Sequence, residues 1–259
     1  MKPTDLLPMP VRNAGRAVVR RFLRKRIPWL MRPPPPGYAR FQQWRSIHPI
    51  RRNFGWDTGG LCVDRYYIEG FLQRNQDVIR GRVLEVAENS YTRRFGGDQV
   101  TLSDILHVAE GSPNATIIGD LTSGAGLPDD AFDCIILTQV LFIIFDLREV
   151  VKTLYRILAP GGVVLITEPG ISQIARYDME QWGDCWRFTS CSATRLFTEC
   201  FPADHVAVET RGNVLSSIAF LHGLLATELT PEELDHQDPD YQMCVFVKAT
   251  KPLRGHVHS

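Results

Sequence analysis

The sequence predicts an α/β protein with a doubly wound, mostly parallel sheet, on three observations. Short β-rich apolar runs recur from Val83 onward, helical periodicity separates the later ones, and polar or acidic residues stand where the runs end. Alternating strands and helices imply right-handed crossovers and a sheet covered on both faces. Ligands in such sheets sit beyond the carboxyl ends of the strands.

The first strand is expected over 82–86, ending the run VLEV. The second spans 99–103 and closes on Asp104; the third spans 115–119 and closes on Asp120. A fourth continuous run covers 132–137, followed by helical spacing over 148–158. Ala159-Pro160-Gly161-Gly162 then stops the helix and turns into a fifth strand over 163–167. Beyond it, 194–201 reads as helix, 205–209 as strand, 214–229 as one long apolar helix and 242–249 as a final strand. The last two strands suit an antiparallel pairing at one sheet edge.

A chain of 259 residues with 44 % hydrophobic content holds one large core and no second full-sized domain. The division expected is a basic, proline-containing arm over 1–45 and one domain over 46–259. Zero net charge hides an asymmetry: residues 1–56 carry thirteen Lys/Arg against one acid, and 57–259 carry sixteen against twenty-eight. In the arm, Arg16, Arg20, Arg21, Arg24, Lys25 and Arg26 surround Ala14, Val18, Phe22 and Leu23 at helical spacing, before Pro28 and the run Pro33 to Pro36. Such a helix suits an anionic membrane surface; the plainer reading is a solvated or packed extension covering the domain's own acidic face. Nucleic acid is not expected as a partner, because the arm offers few aromatics and the body is acidic.

The six cysteines form no C-x-x-C pair, so neither a metal site nor a disulfide framework is expected. No apolar run approaches the roughly 20 residues of a membrane span, and the expectation is a cytoplasmic protein, peripheral to the membrane if the arm binds there. The oligomeric state is not legible.

Several ordered pieces resemble the class I S-adenosylmethionine-dependent methyltransferases: VLEV at 83–86, Asp104 after Glu85, GDL at 119–121, LPDDAFDCIIL at 127–137 and LYRILAPGGVVLIT at 154–167. DRYYIEGFL at 64–72, YTRRFGG at 91–97 and WGDCWRFT at 182–189 are similar to a bacterial branch of that family. The resemblance implies a Rossmann-like, seven-stranded methyltransferase sheet with one antiparallel edge strand. It implies S-adenosylmethionine as cofactor and methyl transfer to an oxygen of a small metabolite, natural product or glycan precursor. The alternative is a binding or scaffold protein, or a different enzyme, on the same fold.

Position by position, the resemblance puts Glu85 near the cofactor's methionine end, Asp104 on the ribose hydroxyls, Asp120 and Leu121 beside the adenine, and Gln139 where the fourth strand opens toward the methyl group. Where the family carries glycines, this chain has Ala87, Glu88, Asn89, Ser90 and Tyr91. Glycine there supplies φ > 0 and removes a Cβ from the ligand's path. Asn89 tolerates the left-handed region, and Glu88 suits a ribose or ammonium group. Base candidates are Glu168 at the end of the fifth strand and Asp184 in the following loop, with His107 and His222 read as packing residues. Trp182, Trp186 and Arg187 form either a substrate wall or a hydrophobic plug. Tyr66 and Tyr67 lie on a helix suited to lid the cofactor site.

Overall fold

A computed structural model describes residues 45–253; the basic arm expected from the sequence falls almost wholly outside that range. One seven-stranded sheet organises the chain. Its strands are β1 (Gly81–Val86), β2 (Val100–His107), β3 (Ile117–Ile118), β4 (Phe132–Thr138), β5 (Leu158–Pro169), β6 (Val206–Arg211) and β7 (Cys244–Thr250). Their order is β3-β2-β1-β4-β5-β7-β6, with β7 antiparallel to both its neighbours and the remaining pairs parallel. Strand order reverses between β1 and β4, which places any ligand crevice beyond Val86 and Thr138.

Helices cover both faces. On one side lie α2 (Leu147–Ile157) and α4 (Ser190–Phe197); on the other lie α1 (Val63–Arg74), α5 (Val214–Leu221) and α6 (Pro231–Asp235). Helix α2 follows from its spacing: Val150, Val151, Leu154 and Ile157 fall on one stripe and are fully buried. Each contributes about 1.5–3 kcal/mol by leaving water. The remaining short helix, α3 (Arg176–Gln181), buries no residue and stands beyond the end of β5.

Three elements differ from expectation. β2 does not stop at Asp104 but runs through Ile105 and Leu106, both buried, to His107. Asp104 is accommodated inside the strand because Arg82 of β1 and Thr116 satisfy its carboxylate. The Ala159–Gly162 turn is an irregularity within β5, where the register jumps from Phe132↔Leu158 to Cys134↔Val163. The long apolar helix ends at Leu221, because Gly223 adopts φ +70 and a Cβ there would lie 2.5 Å from the Arg51 carbonyl.

The crossover from β1 to β2 carries only a π-type turn (Thr92–Gly96) and a 3-10 turn (Gly97–Gln99). Segments 108–116 and 119–131 contain no helix among the described residues. Leu102 and Ile118 consequently remain half exposed on that half of the sheet. Before α1, the strap 51–56 is tied down by Arg51, whose backbone N–H donates to the His222 carbonyl at 2.9 Å. Its guanidinium reaches Glu228 at 2.6 and 3.2 Å, with both side chains buried.

Candidate functional site

The β1 loop is shaped as a glycine loop would be, without its glycines. Ala87 has φ +69, in the left-handed region; Asn89 does not occupy it, contrary to expectation. The Asn89 amide instead donates to Ser103 Oγ at 2.9 Å, pinning the loop to β2. Ala87 and Glu88 are exposed at the carboxyl end of β1. His107, the last residue of β2, places Nε2 3.0 Å from the Ala87 carbonyl. Left-handed alanine costs about 1–2 kcal/mol, partly offset by glycine's larger entropy loss on folding. Ala87→Gly should therefore raise stability by about 0.5–1 kcal/mol in urea denaturation; a decrease would contradict the left-handed backbone there.

The acids carried over from the resemblance are occupied within the fold. Buried Glu85 accepts from Thr92 N at 2.8 Å, Thr92 Oγ1 at 2.7 Å and Tyr91 N at 3.4 Å, so it anchors the π-type turn. Burial pushes its carboxyl above the usual range and the Thr92 donors oppose that. Asp104, internal to β2, accepts from Arg82 Nε at 2.7 Å and Thr116 Oγ1 at 2.8 Å. Its expected place at the strand end is taken by His107. Asp120 closes its own turn, accepting from Thr122 N at 2.8 Å and Ser123 Oγ at 3.0 Å. These donors hold its carboxyl below the usual range. Leu121 belongs to the buried core.

Beyond the ends of β4 and β5 opens a cleft of about 430 Å³. The strap contributes Asn53, Phe54 and Trp56; the start of α1 contributes Asp64 and Arg65; Gln139 follows β4. Gln139 has φ +56, and its N–H donates to the Thr167 carbonyl at 2.8 Å. The far wall comes from 172–187, including α3. Asp64 is buried with Oδ1 unpartnered, and Arg65 Nε is likewise buried without a hydrogen bond. Burial pushes the Asp64 carboxyl up and Arg65 opposes it. Arg65 Nη1 donates to Tyr91 Oη at 3.1 Å, and the guanidinium lies 5.4 Å from the Trp56 ring centre. Two unsatisfied polar atoms at a cleft wall are costly unless something fills it.

Helix α1 presents its other face elsewhere. Tyr66 donates to Asp235 at 2.8 Å and buried Tyr67 to the Leu234 carbonyl at 2.8 Å, so both hydroxyls fasten α6 and neither lines the cleft. Asp64 and Arg65, two residues earlier on the same helix, line the cleft instead.

Both base candidates are corrected as well. Glu168 is buried and accepts from three successive backbone N–H groups: Val140 at 3.3 Å, Leu141 at 2.8 Å and Phe142 at 3.0 Å. Burial pushes it up to about 8, against the pull of those donors. Its role is to fold the loop after β4. Asp184 borders the cleft, but its carboxylate accepts from Arg187 at 2.5 and 3.1 Å and from Ala175 N at 2.9 Å. Within WGDCWRFT, Trp186 is a plug: Nε1 donates to the Ile144 carbonyl at 3.0 Å and the ring packs on Phe145. Trp182 is exposed, edge-on to Tyr177, and does not line the cleft. Arg187 does line it, paired to Asp184.

Sequence reasoning missed Asn53, Phe54 and Trp56, which precede the recognisable pattern, and Arg176, Tyr177 and Asp178. The last three had no signal beyond lying after a strand end. Among the described residues no group of side chains is arranged to hold a metal ion, and no helix is long and apolar enough to cross a membrane.

The methyltransferase domain family matches over residues 79–208, half of the chain. Two curated relatives, the ubiquinone/menaquinone biosynthesis C-methyltransferases UbiE of Pectobacterium carotovorum and Pectobacterium atrosepticum, are each 30 % identical over 151 residues. The alignment takes in 50 % of this chain and 54 % of theirs, so the chain spans about half the length of the curated relatives it matches. Among solved structures, a SAM-dependent methyltransferase from Archaeoglobus fulgidus superposes at TM-score 0.49 and 12 % identity, over 72 % of this chain and 94 % of that one. The N-methyltransferase NodS from Bradyrhizobium japonicum does so at 0.45 and 14 %, over 73 % and 97 %. With its strand order and the family match from β1 through β6, the chain belongs to the class I S-adenosylmethionine-dependent methyltransferases.

Proposed function

We propose that the protein transfers the methyl group of S-adenosylmethionine to an oxygen of a small metabolite, natural product or glycan precursor. The observation that carries this reading is the Asp64–Arg65 pair at the wall of the cleft, with Asp64 Oδ1 unbonded and Arg65 Nε, itself without a hydrogen bond, 4.0 Å from Asp64 Oδ2. Opposite charges side by side suit the ammonium and carboxylate of the cofactor's amino-acid end. Gln139, at the switch point of the sheet, borders the same space. The nucleoside end then extends over Ala87, Glu88 and His107, where the left-handed alanine keeps the loop in a glycine-like course.

Bound there, the cofactor supplies a sulfonium-activated methyl group. The chain's own contribution is alignment of donor and acceptor and removal of the acceptor's proton. Acceptor atom and acceptor identity belong to this proposal. The relatives are named as C-methyltransferases, so a carbon acceptor activated by an adjacent hydroxyl is the second reading, and product mass spectrometry with NMR separates the two.

Calorimetric titration with S-adenosylhomocysteine tests the cofactor site. Arg65→Ala and Asp64→Asn should each weaken binding by about 1–3 kcal/mol, the loss expected for a charged hydrogen-bond partner. Asp104→Ala, which removes a group already satisfied inside the sheet, should leave affinity unchanged while lowering stability. No heat at millimolar ligand would instead mark the chain as a scaffold on a methyltransferase fold.

A further inference from the structure

The charges of the cleft divide into those already engaged and those that are not. Asp184 and Arg187 neutralise one another. Asp64 and Arg65 are assigned above to the cofactor's amino-acid end. Arg176 and Asp178, both on α3, line the same cleft, and neither side chain forms a hydrogen bond or ion pair among the described residues. Arg176 is exposed and Asp178 half-buried.

The apolar surface around them is aromatic. Trp56 and Tyr177 line the cleft while remaining 54 % and 69 % exposed, and buried Phe142 and Phe220 line it as well. Large rings left uncovered in a concave site favour a flat, polarisable guest. An unpaired guanidinium adds selectivity for an anionic substituent, and an unpaired carboxylate on the same helix supplies a proton acceptor.

We propose that α3 is the acceptor-recognition element: the acceptor is a hydroxylated aromatic acid lying between Trp56 and Tyr177, its anionic group paired with Arg176, and Asp178 is the general base for its hydroxyl. This rests on the methyl-transfer reading. The hydroxyl proton passes to the Asp178 carboxylate, the oxygen forms a bond to the methyl carbon, and the carbon–sulfur bond breaks with its electron pair remaining on sulfur. Burial raises the Asp178 carboxyl above its ordinary range, and the charge of Asp184 adds to this. The other charges bordering the cleft are Arg176 on its own helix, Arg187 bound to Asp184, and Asp64 and Arg65 across it. Because the base acts deprotonated, the rate rises as pH increases through its pKa.

The test uses the full chain and two probes, 3,4-dihydroxybenzoate and uncharged catechol, titrated calorimetrically onto protein saturated with S-adenosylhomocysteine. The acid should bind about tenfold more tightly than catechol, the effect of one charge-assisted contact, and Arg176→Gln should erase the difference. With S-adenosylmethionine, Asp178→Asn should lower kcat by about 100-fold or more, leave KM within about threefold and abolish the acid limb of the pH–rate profile. Equal affinity for the two probes, no binding of the acid, or an unchanged kcat in Asp178→Asn overturns the assignment. Absence of S-adenosylhomocysteine binding, read in the first titration, overturns the methyl-transfer reading and this assignment with it; normal binding followed by no preference overturns this assignment alone.

Discussion

Glu168→Ala should destabilise the protein by about 3–5 kcal/mol in urea denaturation, because it leaves three buried backbone donors without an acceptor, each costing about 1–3 kcal/mol. Three consecutive N–H groups, on Val140, Leu141 and Phe142, converge on this one carboxylate. Nothing else among their described contacts satisfies them, and water has no access at 2 % exposure. Glu168→Gln keeps one carbonyl acceptor and should lose less, about 1–3 kcal/mol. The pH dependence has a definite sign. With the folded-state value pushed from 4.5 to about 8, the native protein retains a proton that the unfolded chain releases. This contribution to stability is therefore complete below about pH 4.5 and is lost as pH rises toward 8. Glu168→Gln should remove that component, so its urea midpoint should fall less than the wild type's between pH 5 and pH 8. A wild-type midpoint that climbs steadily across the window would contradict it.

Arg51→Ala should cost a comparable amount, about 3–5 kcal/mol. The guanidinium is buried at 3 % exposure against Glu228 at 2 %, and its loss removes the opposite charge from a buried carboxylate that also accepts from Leu225 N at 2.9 Å. It also releases the strap that carries Phe54, stacked on Phe220, and Trp56, beside Arg65. Stability and ligand affinity should therefore fall together, which denaturation and S-adenosylhomocysteine titration of the same variant would read. The double variant Arg51→Met/Glu228→Met should recover part of the stability, because both buried charges are removed together. A double variant as unstable as the single one would show that apolar packing of the strap, not the charge pair, sets the loss.

Much of the sheet was legible because its core strands are continuous apolar runs with few alternatives. β1, β4 and α2 fall within a residue or so of expectation. The end of β2 was not legible from β2 alone. Whether Asp104 terminates a strand depends on Arg82 across the sheet and Thr116 near the next strand, contacts that spacing along the chain does not encode. The break in α5 did carry a signal: His222-Gly223 is an ordinary helix stop, overridden in the sequence reading by the apolar residues on either side.

For the acids, nearness to a strand end was legible and their engagement by neighbouring donors was not. Glu85, Asp120, Glu168 and Asp184 all stand close to a strand end or in the loop beyond, and every one is consumed by neighbouring donors. An acid's availability is a property of its surroundings. Among the described residues Asp178 has no donor to its carboxylate and Asp64 keeps one oxygen unbonded, and the absence of a donor leaves no trace in sequence.

Ala87 and Gln139 hold left-handed backbone at the ends of β1 and β4, on the two sides of the switch point. Neither residue adopts that conformation readily, so hydrogen bonds to Leu106 and Thr167 carbonyls must maintain it continuously. A glycine loop samples several courses and loses that freedom when a guest arrives. Here the narrowing of choices has already happened during folding, so the entropy of ordering these two loops belongs to the protein's stability and not to its affinity.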